Sequence, residues 1–158
     1  MGCSYVILSD QSPPGDRLRC RLVTVLFFLE WKIMETPFEH IPSSLPLPFS
    51  SAVRAGSMLY LSGQLGMTAG SNKLVTGGIT SETTQALENI ETVLLEAGSS
   101  KEKIVRCEVF LSDFADFSAM NEAYKAFFGI GPYPARSAVA VAGMALDAKV
   151  EIQATAVV

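Results

Sequence analysis

From residue 34 onward, two kinds of apolar spacing take turns along the chain, and each predicts an element. Over 57–65, SMLYLSGQL, the apolar positions crowd into a short run interrupted by Gly63, which reads as a strand whose backbone something approaches closely. AGSNKLVTGG, 69–78, has loop chemistry. Thr80 or Ser81 then caps a helix in which Ala86, Leu87, Ile90, Val93, Leu94 and Ala97 recur on one side, with Gly98 as the stop. KIVRCEVFLSD alternates Val105, Cys107, Val109 and Leu111 against Ile104, Arg106, Glu108 and Phe110, which predicts a strand with one plainly apolar face. Asp113 or Asp116 opens a second helix through FSAMNEAYKAFFG, ending near Gly129. Two strands close the pattern, about 136–142 and 149–157.

The resulting order is strand, helix, strand, helix, strand, strand. It predicts an α+β unit with a mixed sheet and two helices packed on one face. If the last two strands form a hairpin through GMALDA, Arg136 faces Thr155, and Glu151 lies on the same face roughly 13 Å along the strand. No internal repeat or low-complexity tract interrupts the pattern.

Residues 1–33 have a different character. A Pro/Gly break at 13–15 and the basic residues Arg17, Arg19 and Arg21 precede the apolar run Leu22 to Leu29. That run is far short of the roughly 20 residues that span a bilayer. It is bounded by Glu30 and Lys32 and lacks a small-residue cleavage site, so it makes a poor signal peptide. MGC at the start resembles an acylation signal, but Val6 stands where that motif wants Ser or Thr. Residues 1–33 are therefore expected to be an extension outside the fold, with the domain occupying 34–158.

Composition narrows the partners. The 158 residues are 49% hydrophobic and 18% charged, with mean hydropathy +0.31, which suits a compact protein that uses part of its surface in subunit contacts. A net charge of −4 supplies no basic footprint for phosphate neutralisation, so nucleic acid is not the expected partner. Nor is a membrane. Cys3, Cys20 and Cys107 have no close pair and only His40 beside them, which suggests neither a zinc site nor a disulfide framework and is consistent with a reducing cytoplasm. Cys107 reads as a packed core thiol.

PARSAVAVAG, 134–143, sets one arginine at the mouth of a run that otherwise reads as a buried strand. A buried, unpaired charge is costly, so Arg136 requires an anion. An acid at a subunit interface is one candidate. Glu151 alternates with Gln153 and Thr155 against Val150, Ile152 and Ala154, by default a solvated strand face.

The segments LYLSGQL, TTQALENIETVLLEAGSS, VFLSDFADFSAMNEAYKAFFG, PARSAVAVAG and AKVEIQATAV resemble the RidA/YjgF family of imine deaminases, in the family's order and approximate spacing. PARS followed fifteen residues later by the Glu of VEI is the most specific part. The resemblance implies a homotrimer of chorismate-mutase-like subunits with sites in the clefts between them. It also implies hydrolysis of reactive enamines and imines, of the 2-aminoacrylate and 2-iminopropionate type, to 2-keto acids and ammonia. The family's carboxylate-binding arginine falls on Arg136 and its water-handling glutamate on Glu151. Its strand serine falls on Ser62 and its helix asparagine on Asn121. Two substrate-binding positions depart from the family pattern, where Phe49 replaces a tyrosine and Ala138 replaces a cysteine. Ala138 keeps its backbone N–H, so a backbone role there survives.

The chemistry fits those residue types. A planar guanidinium holds a carboxylate with two parallel hydrogen bonds, and one positioned carboxyl can both activate water and return a proton to the leaving nitrogen. No metal or organic cofactor is expected, because a protonated imine is already electrophilic. A ligand-binding trimer for small 2-keto or amino acids is the alternative, kept open by Phe49 and Ala138. Ribonuclease activity, also assigned to the family, sits poorly with the acidic charge.

Overall fold

A computed structural model describes residues 38–158; the expectations for residues 1–33 lie outside them. The described chain runs β1 (Glu39–Pro42), β2 (Ser50–Ala55), β3 (Met58–Leu61), β4 (Gln64–Leu65), α1 (Gly78–Glu96), β5 (Ile104–Leu111), α2 (Phe117–Phe128), β6 (Ala135–Ala140) and β7 (Val150–Val157). All seven strands join one mixed sheet in the order β1-β2-β3-β7-β5-β6, with β4 also on β7. The α+β architecture with two helices is as the pattern predicts.

Both helices form where the apolar spacing places them. Ala86, Leu87, Ile90, Val93 and Leu94 are all buried along α1, and Gly98 ends it at φ +75°. There the amide of Ser99 donates to the Leu94 carbonyl and that of Gly98 to Leu95, so the last carbonyls find partners in a left-handed turn. The start differs from expectation. α1 begins at Gly78 with no side-chain cap from Thr80 or Ser81, because Gly77 (φ +118°) and Gly78 (φ +74°) turn the backbone into the helix in a region closed to most side chains. At α2 the Asp113 carboxylate accepts from the Ala115 amide at 2.9 Å, which opens a single 3-10 turn leading into the helix.

Leu87, Ile90 and Leu94 of α1 and Met120 of α2 share one buried cluster with Cys107, Val109 and Leu111 of β5 and Val150, Ile152, Ala154 and Ala156 of β7. Both helices thus cover the same sheet face. Each fully buried Leu or Ile in that cluster contributes about 1.5–3 kcal/mol relative to exposure.

Three features differ from the sequence reading. Strands β1 and β2 occupy a stretch that yields no element from its pattern, because Pro42, Pro46 and Pro48 break the periodicity there. The strand expected over 57–65 is interrupted at Ser62–Gly63, with β3 pairing to Thr155–Val157 and β4 to Glu151–Ile152. The largest correction concerns the last two strands. They form no hairpin: β5 lies between them, parallel to β6 and antiparallel to β7. The α2 crossover returns the chain parallel to β5, and the following loop carries β7 into the centre of the sheet.

Candidate active site

The β5-α2-β6 crossover builds one half of the site. In register, Cys107 of β5 stands opposite Arg136 on one side and Ala154 on the other. Directly opposed residues share a sheet face; Cys107 and Ala154 are buried beneath the helices, so Arg136 points to the helix-covered side. α2 passes over that row. Asn121 and Tyr124, three residues apart, meet the arginine together: Arg136 Nη2 donates to Asn121 Oδ1 at 2.8 Å, and the guanidinium carbon lies 4.4 Å from the Tyr124 ring centroid and 5.8 Å from that of Phe117.

Arg136 has no carboxylate within ion-pairing distance among the described residues. Its remaining N–H donors border a cleft of about 270 Å³ lined by Asn121, Tyr124, Lys125, Tyr133, Pro134 and Arg136. A single guanidinium carries five donors, so the bond to Asn121 leaves enough for a bidentate anion.

Two groups beside the arginine stay neutral. Burial pushes the Cys107 thiol above its ordinary pKa, opposed in part by Tyr124 and Arg136. Burial likewise raises the Tyr124 phenol, with Cys107 adding to the effect. A thiol that resists ionisation is a poor nucleophile, in keeping with the packed-core reading of Cys107.

The other half lies on the opposite face. Glu151 pairs across to Phe110 of β5 and Leu65 of β4, three positions from the Cys107 row, and it alternates with the buried Val150 and Ile152. Its carboxylate rests on the backbone of Gly63, where a Cβ would overlap it. The approach inferred for that glycine is therefore made by Glu151. Ser62 donates from its hydroxyl to the Ser50 carbonyl at 2.7 Å, and its amide donates to Ser51. Phe49, 42% exposed, directly precedes that acceptor residue.

The six candidate residues thus divide. Arg136 and Asn121 are brought together on one face. Phe49, Ser62 and Glu151 gather around the β3-β4 break and the start of β7, with Glu151 on the other face. The same-face expectation for Arg136 and Glu151 fails because it assumed the hairpin; with β5 inserted, the two residues sit at different levels and point apart. Ala138 lies on β6, the edge strand. The Val141 amide donates to Leu111 of β5, so by alternation the amides of Arg136, Ala138 and Ala140 face the free edge. Tyr124 is the neighbour that residue-by-residue reasoning overlooks, although the Asn121–Tyr124 spacing already places both on one side of α2.

Among the described residues no group of three His, Cys, Asp or Glu side chains could hold a metal ion, and no helix is long and apolar enough to cross a membrane.

Fold and geometry together give an α+β chain with a half-buried arginine that has no carboxylate partner among the described residues and a glutamate on the opposite face of the same sheet. A sequence model of the family described as Endoribonuclease L-PSP matches residues 42–158, and the chain belongs to that family, in agreement with its RidA/YjgF motifs. The 2-iminobutanoate/2-iminopropanoate deaminase of Dermatophagoides farinae is 39% identical over 127 residues, covering 80% of this chain and 96% of its own length. The Capra hircus protein of the same name is 44% identical over 110 residues, 70% of this chain and 80% of its own. Among solved structures, the Rid family protein YyfA from Yersinia pestis superposes with a TM-score of 0.73 at 35% identity, over 77% of this chain and all of that one.

Proposed function

We propose that this protein hydrolyses reactive 2-imino acids and their enamine tautomers to 2-keto acids and ammonia, at sites completed by two copies of the chain in a homotrimer. The observation that carries this reading is the half-buried Arg136, which has no acid partner within the described chain and borders a cleft sized for a small carboxylate. The deaminases similar to this chain support the reaction class.

In the proposed reaction the substrate carboxylate accepts two hydrogen bonds from Arg136, which Asn121 holds at one end. Glu151 takes a proton from water as the oxygen attacks the carbon of the protonated imine, giving a neutral carbinolamine. The same carboxyl returns that proton to nitrogen; the C–N bond then breaks as the hydroxyl gives its own proton to the Glu151 carboxylate and becomes the carbonyl, and the departing ammonia takes that proton up as ammonium. In this reading Ser62 and Phe49 of the next copy, together with the outward amide of Ala138, complete the substrate side of the cleft. No metal or organic cofactor takes part.

Two copies are required because Arg136 and Glu151 point to opposite faces of one sheet. A cyclic trimer lets the arginine half of each copy meet the glutamate half of the next. The face that α1 and α2 leave uncovered carries Tyr60, Phe110 and Val139 among polar neighbours, a surface suited to such contact. The domain is assigned to 34–158, and the unpaired, buried Cys107 fits a cytoplasmic setting.

The test generates 2-iminopropionate with an amino-acid oxidase and follows its loss with the full chain. Arg136→Ala and Glu151→Ala are each expected to be folded and inactive. Co-refolded in equal amounts they should recover about a quarter of wild-type activity, the share of interfaces that pair an intact arginine with an intact glutamate. No recovery would overturn the shared site. Binding of 2-ketobutyrate by a wild type that leaves the imine untouched would replace the enzyme with a ligand-binding trimer.

A further inference from the structure

Asn121 holds one end of the Arg136 guanidinium, and one hydrogen bond leaves a planar group free to swing. The second restraint comes from the same helix. Tyr124 is only 3% exposed, and its ring lies 4.4 Å from the guanidinium carbon, whereas Phe117 at 5.8 Å makes a looser contact. A cation–π contact of this kind restrains the arginine without adding a second side-chain hydrogen-bond acceptor to it, so the bond to Asn121 is the one that occupies a donor.

The Tyr124 hydroxyl is buried beside the Cys107 thiol, which stands opposite Arg136 on β5. Burial holds the phenol in its neutral form, so no phenolate competes with substrate for the guanidinium. What Tyr124 offers the site is therefore its π face. Tyr124 is anchored in turn by its neighbours, with the Phe128 ring 4.7 Å away.

We infer that Tyr124 is a positioning residue for the substrate carboxylate: its ring face holds the Arg136 guanidinium so that the free edge stays turned toward the cleft. This inference rests on the proposed role of Arg136.

The experiment records the Arg136 guanidinium N–H signals of the full chain by NMR, assigned by their loss in Arg136→Lys, and measures KM and kcat for 2-iminopropionate in parallel. Tyr124→Leu is expected to move the Arg136 signals downfield, out of the ring's shielding cone, and to raise KM on the order of tenfold with a smaller change in kcat. Tyr124→Phe, which keeps the ring, is expected to restore both. Placing phenylalanines of increasing fluorine content at position 124 withdraws electron density from the ring and is expected to raise KM stepwise, a trend that simple packing would not produce. Unmoved Arg136 signals in Tyr124→Leu, or a KM that is flat across the fluorinated series in an active enzyme, would overturn the inference. A wild type with no turnover would overturn the proposed reaction instead, and the NMR signals would still decide whether Tyr124 holds the arginine.

Discussion

The carboxylate of Glu151 lies against the backbone of Gly63, in the space that a single methyl group on that glycine would fill. The strand break at Ser62–Gly63 is what admits it, since β3 ends at Leu61 and β4 resumes at Gln64. Position 63 therefore controls where the proposed water-handling group can be.

Gly63→Ala is expected to displace the Glu151 side chain while leaving the Arg136 half untouched. The expected outcome is a fall in kcat of roughly a hundredfold, the low end of what a positioned acid–base group contributes, with KM changed little. Steady-state kinetics with 2-iminopropionate, alongside circular dichroism to confirm the fold, checks it. An unchanged kcat would mean that Glu151 does not work from this position.

The start of β7 is held by a buried acid. Glu82 of α1 is 6% exposed, and its carboxylate accepts from the Lys149 amide at 2.8 Å. Glu82→Ala strands that donor, a loss of about 1–3 kcal/mol. The melting temperature at fixed protein concentration should fall by roughly 3–10 °C. Glu82→Gln keeps a carbonyl acceptor and should lose less than half as much. Equal losses in the two variants would assign the effect to packing.

Alkaline pH should destabilise the protein in a defined direction. Burial raises the Cys107 thiol and the Tyr124 phenol above their ordinary values, so the native state keeps protons that the unfolded chain releases. Stability from this source is complete below the unfolded thiol value of about 8.5 and declines as pH rises past it, with the phenol adding a second decline above about 10. Denaturant titrations between pH 7 and 11 should show that slope. Cys107→Ala should flatten its first part, whatever the variant does to stability at pH 7. A slope unchanged in Cys107→Ala would assign the decline to other groups.

The parts of the fold legible in the sequence are those that local chemistry dictates. The Ala86–Leu94 stripe and the glycines at 98 and 129 mark the helices, and the alternation around Cys107 marks β5. The β1-β2 hairpin is hidden by prolines, which look like loop but lie at strand ends and between strands. The pairing of β6 and β7 is hidden for a different reason. Adjacency along the chain suggests a hairpin, whereas the observed ladder joins both to β5, which lies before both of them in the chain, and no periodicity within a strand reports its neighbour. Arg136, Asn121, Ser62 and Glu151 stand out from residue type and motif, but the face each occupies depends on that non-local pairing.

Because Arg136 and Glu151 look away from each other across β5, the proposed chemistry belongs to an encounter between chains. On that reading, specific activity should rise with protein concentration until assembly saturates, and a dilute solution of perfectly folded chains should do nothing. The unit of function is then the assembly and not the chain.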